Sequence, residues 1–209
     1  MPHAFDEVIT SRQRLREIMP MPNERVAGKV IDHIDGICRR FIAASPFVTI
    51  ATRGEDGRID QSPKGDPAGF VTVLDERTLA IPDRSGNNRL DTFENIIANS
   101  EVGLIFLIPG YGYTLRVGGK AHIVRDRALQ KSLAMQGREP SLVLIVHVEE
   151  AFMHCAKCTA RSSLWAPEKW PDLADVPSLA EAMVEHARLS ITRSEMQTLI
   201  DDNFKNKMY

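Results

Sequence analysis

A six- to seven-stranded antiparallel split β-barrel with flanking helices, an α+β arrangement, is what this sequence predicts, and three observations carry it. Between residues 47 and 81 short β-rich runs follow one another at hairpin spacing, with Asp56-Gly57 as a strong two-residue turn. A single amphipathic stretch around Phe93 and Ile96 then interrupts the strands. Beyond it, the apolar runs EVGLIFLI at Glu101–Ile108 and SLVLIVHV at Ser141–Val148 restore the strand pattern. Strands mostly in hairpin sequence with one inserted helix favour a barrel over a doubly wound sheet.

The elements follow in order. Residues 1–23 are polar and interrupted by Pro2, Pro20 and Pro22, which predicts an irregular arm with a helix over Ser11–Ile18. Val30, Ile34, Ile37, Cys38 and Phe41 repeat at helical spacing and predict a helix of about five turns over 24–45, with Cys38 as a buried small hydrophobe. Strands are predicted at Phe47–Thr52, Arg58–Lys64, Phe70–Leu74 and Thr78–Ile81. Asp91 and Glu94 have the spacing of a capping box, and Phe93, Ile96 and Ile97 form the apolar face of the helix it opens. After Glu101–Ile108, the chain turns at Pro109–Gly112 into a long strand, Tyr113–Arg125, which Gly118-Gly119 allow to bend. A helix over Arg127–Met135 and the strand Ser141–Val148 close the barrel, whose core spans about 41–150. Residues 151–209 read as helical, with segments at Ala151–Ala160, Ser178–Leu189 and Thr192–Phe204. Neither a repeat nor a linker divides the chain, so one domain is expected.

Composition narrows the function classes. With 26 Lys+Arg against 28 Asp+Glu, the net charge of -2 removes the bulk electrostatic argument for nucleic acid or an anionic membrane. No apolar run is long enough to span a bilayer, and MPHAFDEVIT lacks the basic-then-apolar pattern of a signal peptide. Three cysteines make no disulfide framework, so a reducing, cytoplasmic setting is expected.

Two polar constellations point to a phosphate. The first is the loop before the interrupting helix, where Arg84, Asn87, Asn88 and Arg89 crowd around Gly86. A helix start with free backbone N–H groups and adjacent arginines suits a dianion. Asp91 and Glu94 oppose this, so the arginines must supply the attraction. The second is DQSPKGD at Asp60–Asp66, where alternation puts Asp60, Ser62, Lys64 and Asp66 on one strand face. Pro63 and Gly65 make that strand irregular. Lys64, Arg84 and Arg89 are then the cations available to the phosphate.

The segments Ile81–Val102, GLIFLIPG at Gly103–Gly110, TLRVGGKA at Thr114–Ala121 and SPKGD resemble the pyridoxamine 5′-phosphate oxidase-like flavoproteins. The likeness covers about Phe41–Trp165 and implies the FMN-binding split-barrel fold and a homodimer with two FMN molecules, each at the dimer interface. It implies that Ser62 and Lys64 meet the ribityl chain or phosphate, and that Pro82 and Asp83 run along the flavin ring. Asn87, Asn88 and Arg89 fall near the family's basic phosphate-binding pair, and Thr114 and Arg116 where the partner reaches the flavin. FMHCAKCTARSSLW at Phe152–Trp165 resembles a segment of a subset of these proteins, in which an H-C-x-K helix precedes an Arg and a Trp; either Arg161 reaches the flavin or a substrate anion and Trp165 faces the ring, or Trp165 caps the barrel core and Arg161 pairs with a carboxylate. The C-terminal W-R-L-H-type segment of the true oxidases is missing from Pro171–Tyr209, so pyridoxamine phosphate is not the expected substrate.

Other chemistries find little support. Cys155 and Cys158 have the spacing of a zinc half-site beside His154, but no second Cys/His pair completes four ligands. As a redox C-x-x-C, they lack the strand-to-helix setting that motif uses. No Walker, Rossmann or nucleophile-elbow motif is present. The expectation is FMN-dependent oxidoreduction of a small molecule by hydride transfer at flavin N5, with no acid or base named. A non-catalytic flavin, haem or deazaflavin carrier is the alternative, His122 or His147 being the axial candidates for haem.

Overall fold

The protein is described by a computed structural model covering residues 4–209, so Pro2 lies outside the described residues. The seven strands are β1 (Phe47–Arg53), β2 (Ile59–Gly65), β3 (Thr72–Val73), β4 (Thr78–Pro82), β5 (Glu101–Leu107), β6 (Thr114–Val124) and β7 (Val143–His154). They form one sheet in the order β2-β1-β5-β6-β7-β4-β3, every neighbouring pair antiparallel. The edges β2 and β3 do not pair, so the barrel stays open between them.

Period-two burial in β1 and β5 shows how the core is built. Val48, Ile50, Leu104, Phe106, Leu115, Val117, Val146 and Val148 line one face, and all are buried. Helices α3 (Gly36–Ala44) and α4 (Asp91–Ala98) cover it with Cys38, Phe41 and Ile42 from one and Phe93 and Ile96 from the other. Each such side chain contributes about 1.5–3 kcal/mol on leaving water.

The N-terminal helices are α1 (Arg12–Ile18) and α2 (Glu24–Ala27). The long helix expected over 24–45 is therefore two pieces. Gly28 ends α2, Ile31 exchanges backbone hydrogen bonds with Ala151, and the Asp35 carboxylate accepts from the Ile37 and Cys38 N–H groups to start α3 afresh. Aspartate caps favour such a break, because the side chain competes with the helix for backbone donors. Val30 and Ile37 are exposed as a result.

A second departure lies at Ala151–Ala160, expected to be helical. Instead β7 runs on to His154, because β6 offers it partners as far as Thr114. The register shifts between Gly118 and Gly119, where a Cβ on Gly119 would collide with the His147 carbonyl oxygen. The chain then enters α6 (Lys157–Arg161), preceded in sequence by α5 (Arg127–Ser132) between β6 and β7. The strand expected at 70–74 shrinks to Thr72–Val73. Ile97 is 80% exposed, so the buried face of α4 is Phe93 and Ile96 without it. The C-terminal helices α7 (Leu179–His186) and α8 (Arg193–Asn206) pair with each other, and Thr192 and Glu195 form a reciprocal capping box. Among the described residues no helix is long and apolar enough to cross a membrane.

Candidate functional site

Directly opposite residues of an antiparallel pair share a face. Lys64 lies opposite Val48, Ser62 opposite Ile50 and Asp60 opposite Thr52. The polar side of β2 thus continues the core face of β1, at the edge where the barrel is open. The space there becomes a cleft of about 280 Å³ between β2 and the loop leading into α4. Asp60, Ser62 and Lys64 line it from one side; Asp83, Arg84, Asn87, Asn88 and Arg89 line it from the other. Pro82 is buried and borders an adjoining hollow with Ser62, Lys64 and Asn87.

The cations meet different fates. The Lys64 ammonium lies 5.9 Å from the Phe93 ring centroid, half-buried, and makes no ion pair among the described residues. Arg84 donates through Nε to Asp66 at 2.7 Å and through Nη2 to the Leu133 carbonyl at 3.0 Å. Asp66 is closed off from water, its side chain 1% exposed, and its other oxygen accepts from the Tyr209 hydroxyl at 2.8 Å. Arg89 turns back on Asp91 at 2.7 Å, with its side chain 71% exposed. Burial pushes the half-buried Asp83 carboxyl above the ordinary carboxylate range, while the Lys64 and Arg84 charges restrain the rise.

The capping box expected at Asp91 and Glu94 does not form. Leu90 is the N-cap, at φ 60° and with no side-chain cap, and Asn88 is left-handed too at φ 59°. A left-handed leucine is costly, and successive turns of this kind build anion-binding concavities from backbone N–H groups. Asp91 is drawn to Arg89 instead, and among the described residues the Asp91 and Thr92 N–H groups have no backbone partner. Behind them the Asn95 amide donates to Thr52 Oγ1 at 3.0 Å and Asp60 Oδ2 at 2.7 Å, anchoring α4 to β1 and β2.

Thr114, Arg116, Arg161 and Trp165 are not brought to this cleft. Arg116 lies opposite Ile105 and Phe152, on the sheet face turned away from the core. It sits over the Phe152 ring at 5.4 Å and pairs with Glu150 at 3.6 Å. Thr114 lies opposite His154, whose pKa is lowered by burial and by the Lys29 and Arg116 charges. Arg161 is exposed at the end of α6, and the Trp165 indole donates to the Tyr111 carbonyl at 3.0 Å. His122 and His147 stack on each other at 5.0 Å on exposed positions of β6 and β7, outside the cleft. No group of three or more metal-ligating side chains occurs among the described residues.

Sequence reasoning did not assign Phe93 beneath Lys64, the strained Leu90, or Tyr209. Helical periodicity put Phe93 on the core face. A contact between Tyr209 and Asp66, 143 residues apart, left no local signal.

A family model described as pyridoxamine 5′-phosphate oxidase matches residues 34–155. None of the curated proteins matches the sequence. Solved structures with a similar fold include HupZ of Group A Streptococcus, 22% identical, covering 57% of this chain and 93% of that one, with a TM-score of 0.49. A Clostridium acetobutylicum protein related to general stress protein 26 is 18% identical over 56% of this chain and 84% of that one, TM-score 0.41. The FAD binding protein of Mycobacterium smegmatis is 15% identical over 59% and 97%, TM-score 0.39.

Proposed function

The chain belongs to the pyridoxamine 5′-phosphate oxidase family, and from that premise we propose that it binds FMN with the phosphate in the β2–α4 cleft and acts as an FMN-dependent oxidoreductase on a small molecule. One observation carries the reading: among the described residues the half-buried Lys64 has no ion pair, and it faces a loop whose left-handed turns leave the first N–H groups of α4 without backbone partners. A dianion supplies the acceptors these donors lack. Ser62 adds a hydroxyl, Asn87 and Asn88 add amides, and Arg84 holds the loop against Asp66. The bound flavin supplies hydride transfer at N5, and the protein supplies position and electrostatics.

The proposal includes a homodimer. Thr114 and Arg116 face away from the cleft of their own chain, so they serve a flavin only if a second copy presents its cleft to them. The setting is cytoplasmic and reducing, where the three cysteines rest as thiols.

Titrating the colourless protein with FMN, followed by quenching of flavin fluorescence, tests the cleft. Lys64→Ala is expected to weaken binding while thermal unfolding without ligand is unchanged. Full affinity in that variant would move the phosphate elsewhere. Protein that ignores FMN but takes up haem or a deazaflavin would favour the carrier reading.

A further inference from the structure

We propose that Cys155 and Cys158 form a redox-active dithiol that exchanges with low-molecular-weight disulfides, Cys155 attacking and Cys158 resolving. The extension of β7 to His154 carries the argument. It places Cys155-Ala156-Lys157-Cys158 across a strand-to-helix junction, with Cys155 directly after β7 and Cys158 inside α6. That is the setting in which two thiols three residues apart can close on each other. Cys155 lies just before the Ala156 cap and Cys158 in the first turn of α6, so only two residues separate the thiols where the chain turns from strand into helix.

The junction is held on one side and open on the other. Thr159 is buried, its hydroxyl 2.7 Å from the Gly112 carbonyl and 2.9 Å from that of Ala156. Gly112 makes room for this seat, since a Cβ there would fall 2.9 Å from the Ala156 Cβ. Cys155 and Cys158 are both exposed. The pair is also asymmetric: the neighbouring Lys157 backbone N–H lowers the Cys155 pKa, and the Lys157 and Lys29 charges lower it further. An exposed thiol beside cations is the one that attacks. Cys38 is buried on α3, and burial pushes its thiol up to about 11, which leaves it inert at neutral pH.

The exchange balances without a further oxidant. The Cys155 thiolate attacks one sulfur of a disulfide RSSR, the S–S bond breaks, and RS⁻ leaves and takes a proton. Cys158 gives its proton to solvent and attacks the Cys155 sulfur of the mixed disulfide, releasing the second RS⁻. One RSSR becomes two RSH as the protein dithiol becomes an internal disulfide.

Reduced full-length protein treated with oxidised glutathione, alkylated and mapped by mass spectrometry tests this. The expected result is loss of two of the three alkylatable thiols, through an internal Cys155–Cys158 disulfide. Cys158→Ser should accumulate a stable glutathione adduct on Cys155, Cys155→Ser should form no internal disulfide, and Cys38→Ser should behave as wild type. Three thiols still free, an adduct mainly on Cys158, or bonds only between chains would overturn the proposal. None of these readouts involves the flavin, so its failure and that of the FMN reading are distinguishable.

Discussion

The cleft beneath α4 and the outer face of β6 and β7 hold similar chemistry, a cation over a phenylalanine ring, in opposite states. On the outer face Lys29 and Arg116 both approach Phe152, at 5.3 and 5.4 Å. Each is already engaged, Lys29 with the Met153 carbonyl at 2.7 Å and Arg116 with Glu150. In the cleft Lys64 approaches Phe93 at 5.9 Å and has no ion-pair partner among the described residues. Its ammonium has three donors and no ion pair among the described residues, which makes it the group to expect a ligand at. The paired cations hold strands and loops in place. Arg84 shows the same division inside the cleft itself, because its guanidinium belongs to Asp66 before any ligand arrives.

The largest effect that tests this contrast is on Arg84. Removing it leaves the nearly inaccessible Asp66 carboxylate without its cation, so Arg84→Ala should lose about 3–5 kcal/mol of stability, read from urea unfolding of the unliganded protein. A stability change below that of an ordinary surface substitution would return Arg84 to the phosphate. Lys64→Ala should do the reverse, weakening FMN by about 1.5–3 kcal/mol in a fluorescence titration while the urea midpoint stays put. Arg89→Ala ranks third. Its charge is exposed and satisfied by Asp91, so FMN affinity should change by no more than about 1 kcal/mol, and a larger loss would show that Arg89 swings in to the ligand.

The smallest effect belongs to the outer face. His154 holds its proton less tightly when folded than the ordinary histidine value of 6.5. The unfolded chain therefore binds more protons between the folded value and 6.5, so stability should fall as pH drops through that window and level off above it. His154→Gln should flatten this slope in urea midpoints. An unchanged slope would assign it to another group.

Some of this was legible in the chain. The apolar runs FVTIAT and EVGLIFLI located β1 and β5, although β5 is buried at alternate residues and not on both faces; a strand's period of two residues likewise needs no distant information. The same rule put Asp60, Ser62 and Lys64 on one face, and the polar loop after Ile81 marked the other wall of the cleft. Apolar spacing misread residues 24–45, since Gly28 ends α2 and the Asp35 cap starts α3 afresh, and neither is an apolar position that the repeat registers. It misread 151–154 as well, where β6 supplies partners that local propensity does not register.

The sequence by itself therefore determined where most strands lie, the helix that precedes β5 and the residues that could meet a phosphate, because periodicity and side-chain chemistry are local properties. Only the tertiary structure decided which cations remain available and where the C-x-x-C falls. Both depend on groups far apart in the chain: Asp66 claims Arg84 with help from Tyr209, and β6 draws β7 out to the threshold of Cys155.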